Sequence, residues 1–152
     1  MRQLILNSTS AALTPARDGD NLSWNGLSGS AEILAVTELA QAHDNLIVVV
    51  TADSSATERW TSGLNFFAGN PGEDTDTLDV LRFPDWETLP YDVFSPHQDI
   101  ISERLASLSH LHGKSNGVLT VPISTLLQKV APTSYLGGAC FNLACGQTFD
   151  VS

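Results

Sequence analysis

The segment Gly26-Leu-Ser-Gly-Ser-Ala-Glu-Ile33 runs into a stretch predicted to be helical, and glycines in that position can cradle a phosphate. A phosphate-binding loop reads G-x-x-x-x-G-K-[ST] at the same place. On that template Gly26 is the first glycine, and Gly29 and Ser30 lie inside the loop. Ala31 then falls on the second glycine, Glu32 on the lysine and Ile33 on the hydroxyl residue. Each departure removes a function. Ala31 adds a Cβ where backbone must approach phosphate, Glu32 replaces a cation with an anion, and Ile33 has no hydroxyl for magnesium. An anion about 4 Å from a phosphate charge costs about 4 kcal/mol at an effective dielectric of about 20. A helix N-terminus, worth about 0.3–1 kcal/mol, does not offset that. By spacing alone the segment reads first as a Gly/Ser turn capping a helix, with a decayed phosphate loop as the alternative.

Other residues with chemical potential are weaker candidates. Ser95, His97 and Asp99 have the types of a hydrolytic triad, but their spacing at a helix start fits capping and solvent exposure. His110 and His112 point apart on a helix, and His43 at a helix end is a favourable C-terminal charge. Cys140 and Cys145 lack the second ligand pair of a zinc site, so they read as two thiols in a reducing compartment. No catalytic residue, metal or cofactor is expected in this chain. Trp86, Tyr91 and Phe94 lie among prolines and acids in the stretch from Phe83 to Arg104. They are the candidates for a partner surface, against the alternative that they pack the loop onto its own domain.

Charge narrows the function class. Seven Lys and Arg against seventeen Asp and Glu give a net charge of −10. Nine of the acids fall between 73 and 103, where Arg82 is the sole Lys or Arg. Sequence-independent nucleic-acid binding needs clustered cations, so direct DNA binding is not expected, and the acids read as a solvated face. No apolar run approaches the roughly 20 residues that span a bilayer. The apolar run near the N-terminus is too short for a signal peptide, so a cytoplasmic location is expected.

Around these residues the pattern is strand and helix in alternation. Residues 7–21 and 69–77 read as loops. Ala31–Ala42 reads as a helix with Ile33, Leu34 and Leu39 inward. The β-branched run Leu46-Ile-Val-Val-Val50 predicts a central strand buried on both faces. Ser55 and Glu58 form a capping box ahead of a helix that carries Trp60, Leu64 and Phe67 on one face. Leu78–Phe83 reads as a strand. Ser95 as cap, Pro96 and Gln98 open a helix whose inner face is Ile100, Ile101, Leu105, Leu108 and Leu111, ending at Gly113. Gly117–Val121 is the next strand, and Ser124 caps a short helix to about Val130, stopped by Pro132. Tyr135–Leu143 reads as a short strand or hairpin start. The order implies an α/β fold with a mainly parallel sheet. The expected division is a lobe over 1–131 and the truncated beginning of a small second domain over 132–152.

Two stretches also carry a family resemblance. Asp85-Trp-Glu-Thr-Leu-Pro-Tyr-Asp92, followed by Phe94-Ser-Pro-His-Gln-Asp-Ile-Ile-Ser102 and Arg104-Leu105, resembles the N-terminal module of bacterial transcription-repair coupling factors. So does Gly117-Val-Leu-x-Val-Pro-x-x-Thr-Leu-x-Gln128, with Pro132 and Ser134 beyond it. The resemblance covers about 45–150 well and the first 44 residues loosely. It implies a RecA-like, P-loop NTPase-like lobe similar to domain 1a of the excision-repair protein UvrB, with a degenerate nucleotide site and a small domain that binds UvrA. It therefore favours the decayed phosphate loop at 26–33 and puts Thr51-Ala-Asp-Ser-Ser-Ala56 at the next helicase motif. It also implies that the loop from 84 to 96 is too short for the DNA-gripping hairpin of UvrB.

The resemblance further implies a parent protein that uses ATP and Mg to translocate on DNA, displaces stalled RNA polymerase and recruits UvrA. The motor and polymerase-binding domains would lie downstream, with the UvrA-contacting residues beyond about 152. For this chain the expectation is a non-catalytic scaffold that also contacts other domains of the same protein. The alternatives are an active P-loop NTPase or helicase fragment, and an unrelated Rossmann-like enzyme. The last would need a complete G-x-G-x-x-G after a strand, which the sequence does not contain.

Overall fold

The computed structural model describes residues 17–69, 78–88, 93, 95–112, 115–132 and 134–136. In order they form α1 (Ala31–Ala42), β1 (Leu46–Thr51), α2 (Ser54–Ala68), β2 (Val80–Arg82), α3 (Gln98–Leu111), β3 (Gly117–Pro122) and α4 (Ile123–Leu126). Strands β1 and β2 each pair in parallel with β3, giving the order β1-β3-β2. The architecture is the α/β fold with a parallel sheet that the alternation predicts. The central strand, however, is β3 and not 46–51. It is buried at five of six positions, and among the described residues it alone has a strand on each side.

Strand β1 departs from the expectation of burial on both faces. Ile47 and Val49 pack against the core, while Val48 and Val50 remain 46% and 47% exposed among the described residues. A β-branched run shows that a strand forms; what covers each face depends on distant chain. The core joins Ile33, Val36 and Ala40 of α1 to Leu64 of α2 and Val118 of β3, with Trp60 and Phe67 packed around them. Helix α1 thus turns Ile33, Val36, Thr37 and Ala40 inward, and Leu34 and Leu39 are only half-buried.

The caps also fall elsewhere. Asp53, not the Ser55–Glu58 box, caps α2, its Oδ1 accepting the Ala56 amide at 2.7 Å. Aspartate is as good a cap as serine, and Asp53 comes first after β1. Helix α3 begins at Gln98 with His97 as its cap, whose Nδ1 accepts the Asp99 amide at 3.3 Å, so Ser95 and Pro96 precede the helix. Its buried positions are Arg104 and Ser107, whereas Leu105 is 43% exposed. The leucine face expected to pack is displaced by polar anchoring, described below. Strand β2 has three residues, extended by a bond from the Phe83 amide to the Thr120 carbonyl at 2.9 Å. Helix α4 stops at Leu126; Pro122 holds its N-cap position without a side-chain capping bond, and the Ser124 hydroxyl donates to Asp85 instead.

Ser134–Leu136 form a helical turn where a strand was expected, with the Leu136 amide bonded to the Pro132 carbonyl. Gly113, most of 69–77 and nearly all of 132–152 lie outside the described residues. At the start of β3, Gly117 has φ +116°, and an added Cβ would meet the Asp79 carbonyl oxygen at 2.8 Å. That carbonyl accepts the Val118 amide, so glycine is required for the approach. Among the described residues no helix is long and apolar enough to cross a membrane.

Burial sets the expected stability effects. Leu64 is fully buried. Leu64→Ala is therefore expected to lose about 2–5 kcal/mol in chemical denaturation, and Leu105→Ala less than about 1 kcal/mol. Equal losses would mean that α3 packs its leucine face.

Candidate functional site

Parallel α/β sheets bind ligands beyond the carboxyl ends of their strands. Here those ends are Thr51, Arg82 and Pro122. A shallow cleft opens there, lined by Ser54, Thr57, Arg82, Pro84, Asp85, Glu87 and Pro122. Its floor is made of hydroxyls. Thr57 donates to the Asp53 carbonyl at 2.9 Å and lies 2.5 Å from the Thr51 hydroxyl. The hydroxyl pair ties α2 to β1, and among the described residues no hydrogen bond joins either threonine to a carboxylate or imidazole side chain.

Asp85 and Arg104 hold the cleft's far wall. Asp85 Oδ1 accepts the Trp86 amide at 2.8 Å and Gln128 Nε2 at 3.3 Å, and Oδ2 accepts the Ser124 hydroxyl at 2.8 Å. Burial alone would raise the Asp85 pKa. The hydrogen bonds from Ser124, the Trp86 amide and Gln128 outweigh it and hold the carboxyl below its ordinary value. Arg104 is 3% exposed. Its guanidinium lies 4.3 Å from the Phe83 ring centre and 4.1 Å from that of Trp86, and it donates to the Pro84 carbonyl at 2.6 Å. Burial lowers its pKa, and attraction to Asp85 opposes the shift. Ser107 donates to the Arg82 carbonyl at 2.6 Å, and Arg82 pairs with Glu103 at 3.4 Å. With both oxygens of Asp85 engaged and Arg104 enclosed, these groups act as struts and do not present a free acid, base or anion hold.

The glycine segment arrives from the other side. Gly26 and Gly29 have φ of +82° and +63°. Ser30 is the N-cap of α1 but makes no side-chain capping bond, and Ala31 opens the helix. Glu32, in the lysine position, pairs with Arg59 of α2 at 3.5 Å. Ile33, in the hydroxyl position, is 3% exposed and belongs to the core, where a Cβ added at Gly63 would stand 2.7 Å from its Cδ1. Among the interaction candidates, Trp86 is half-buried with its ring against the Arg104 guanidinium. Tyr91 and Phe94 lie outside the described residues. His97 stands 3.3 Å from Asp99 with both exposed, an arrangement that caps α3. No cluster of three metal-binding side chains occurs among the described residues. The sequence reading missed the Asp85–Arg104 anchor as a site. The only signal was an arginine at a core-facing helical position downstream of Phe83 and Trp86.

No protein-family model matches the chain. Curated proteins do. A transcription-repair-coupling factor of Haemophilus influenzae is 41% identical over 122 residues, covering 80% of this chain and 10% of that protein. One of Escherichia coli is 39% identical over 133 residues, and one of Myxococcus xanthus 33% over 135, each covering 88% of this chain and 11% of the relative. The chain matches the N-terminal region of transcription-repair-coupling factors. It spans about a tenth of the length of these relatives.

Two measurements test the anchor. Arg104→Lys keeps the charge but loses the planar contact with both rings, and is expected to lose about 1–3 kcal/mol in urea denaturation. Asp85 ionises more readily in the folded than in the unfolded chain. Its contribution is therefore full above the unfolded value of 3.8 and is lost as pH falls below it towards the folded value. The stability gap between the native chain and Asp85→Asn should accordingly close on acidification below that value. A gap that stays constant there would mean the charge of Asp85 is not what its donors stabilise.

Proposed function

We propose that the chain is a non-catalytic, RecA-like scaffold and interaction lobe of a transcription-repair-coupling factor. The observation that carries this reading is the fate of the glycine segment. The two positions that would hold phosphate and magnesium are an anion paired with Arg59 and an isoleucine in the core. The net charge of −10 supports placing DNA contact elsewhere in the protein. In this reading the full-length protein works in the cytoplasm. Its other domains use ATP and Mg to move on DNA and displace stalled RNA polymerase, and it recruits UvrA through the small domain that follows this lobe. The name shared by the relatives, transcription-repair-coupling factor, supports a role in that process.

The test puts two ligands to one chain. Mg-ATP at saturating concentration is expected to leave the melting temperature unchanged, for the native chain and for Glu32→Lys alike, since restoring one charge leaves Ile33 in the core. A saturable rise for the native chain would overturn the reading in favour of a working NTPase lobe. In parallel, immobilised UvrA should retain this chain weakly and a version extended through the small domain strongly. Equal retention of both would place the contact on the lobe itself.

A further inference from the structure

The sequence contains two Asn-Gly pairs, Asn25-Gly26 and Asn116-Gly117. Such pairs are chemically labile, because glycine has no side chain to shield its amide nitrogen from the neighbouring asparagine amide. The fold treats the two differently. Asn25 through Ser30 are all exposed. Neither Asn25 nor Gly26 makes a hydrogen bond to another described residue, and the space at the Gly26 Cβ position is empty to 4 Å. Trp24 packs against the core on one side and α1 begins at Ala31 on the other, so the pair sits on a short span with free backbone between two fixed ends. Asn116 is exposed too, but Gly117 is buried. It lies in register opposite Leu46 and against the Asp79 carbonyl, whose contact leaves 2.8 Å for any added atom.

We propose that Asn25 is a site of spontaneous deamidation, and that the same chemistry at Asn116 is blocked by the sheet. The Gly26 amide nitrogen, deprotonated by solvent hydroxide, attacks the side-chain carbonyl carbon of Asn25. The carbon–nitrogen bond to the side-chain amide breaks, ammonia leaves, and a cyclic succinimide closes. Water then opens either carbonyl, giving aspartate or isoaspartate. No oxidant or reductant takes part, and the balance is one water in and one ammonia out. Reaction at Asn116 needs the Gly117 nitrogen to swing towards the asparagine side chain, which the pairing of β3 with β1 and the Asp79 contact prevent until β3 opens. At Asn25 the backbone turns without breaking any bond of the fold. The product adds one negative charge to the exposed segment that precedes α1, on the same approach as Glu32.

The experiment is peptide mapping of the chain after incubation in mildly alkaline buffer, with isoaspartate scored by an isoaspartyl methyltransferase. In the native chain the Asn25 peptide should convert to acid at least about tenfold faster than the Asn116 peptide, a ratio equivalent to about 1.4 kcal/mol of opening. In guanidinium, where the sheet is gone, the two should convert at similar rates. Asn25→Gln should abolish the fast native-state charge variant on ion exchange. The proposal is overturned if the native chain converts Asn116 as fast as Asn25, or if Asn25 stays an amide over a period that converts both sites in the unfolded chain.

Discussion

The pairing of β3 with a strand on each side is the constraint on which the rest of the structure rests. A strand buried between two others has no water for its amides and carbonyls, so both neighbours must supply the bonds. Residues 46–51 and 80–82 do so in parallel, and parallel strands need long crossovers. That requirement places helices between the strands and sends all three carboxyl ends to one side. The pairing also sets a local tolerance. Asp79 must bring its carbonyl to the Val118 amide at 2.8 Å, and only glycine at 117 leaves room for it. On the face towards α2, the Thr61 and Thr120 hydroxyls meet at 2.7 Å and Thr61 also donates to the Thr57 carbonyl. The helix is therefore keyed to the sheet by directional bonds as well as by Leu64. Such bonds fix its register along the sheet, which apolar contact alone leaves freer.

Helix α3 is attached by a different principle. Its two buried side chains, Arg104 and Ser107, both donate to backbone carbonyls at the end of β2. The Arg104 guanidinium fills the space between Phe83 and Trp86 and so substitutes for a hydrophobic plug while satisfying Pro84. Its buried charge is tolerable because Asp85 is held ionised nearby by three donors. The result is a rigid corner in which Phe83–Trp86, the start of α4 and Gln128 brace one another. In this corner the Trp86 ring lies against Arg104, so whatever else Trp86 contacts is set by the part of it that stays exposed.

The legible and illegible parts of the sequence divide along the same line. Ala31–Ala42, Leu46–Val50 and Gly117–Val121 follow from local apolar pattern and from glycine and proline punctuation; the helix forms as read and each strand runs one residue further. Local pattern could not choose between Asp53 and Ser55 as the cap of α2, since both are good acceptors. It ranked β1 above β3 as the central strand because three consecutive valines outweigh Gly117-Val-Leu-Thr-Val121 in hydrophobicity, whereas centrality depends on which strands come to lie alongside. It placed Leu105 inward because leucine outranks arginine on any apolar scale. The aromatic pair that makes Arg104 the buried residue lies some twenty positions upstream, where no helical periodicity can register it. The glycine segment was legible as a departure from a template, but the partner of Glu32 was not, because Arg59 belongs to another helix.

That partner changes what the departures mean. A phosphate loop that had merely lost its lysine would leave an open, positively polarised helix end, and a single substitution would go far to restore it. Here Glu32 faces Arg59, so a lysine at 32 would stand beside another cation, and that repulsion would offset part of what it gained from phosphate. A hydroxyl residue at 33 would have to leave the core to reach a metal. Removing Ile33 from beside Gly63 would open a cavity in the contact between α1 and α2, at a cost of about 2–5 kcal/mol if nothing refills it. An exposed ion pair contributes at most about 1 kcal/mol, so the packing of Ile33 is the stronger of the two locks. The proposed loss of nucleotide binding is thus held in place by the hydrophobic core, and recovering it would require repacking α1 against α2.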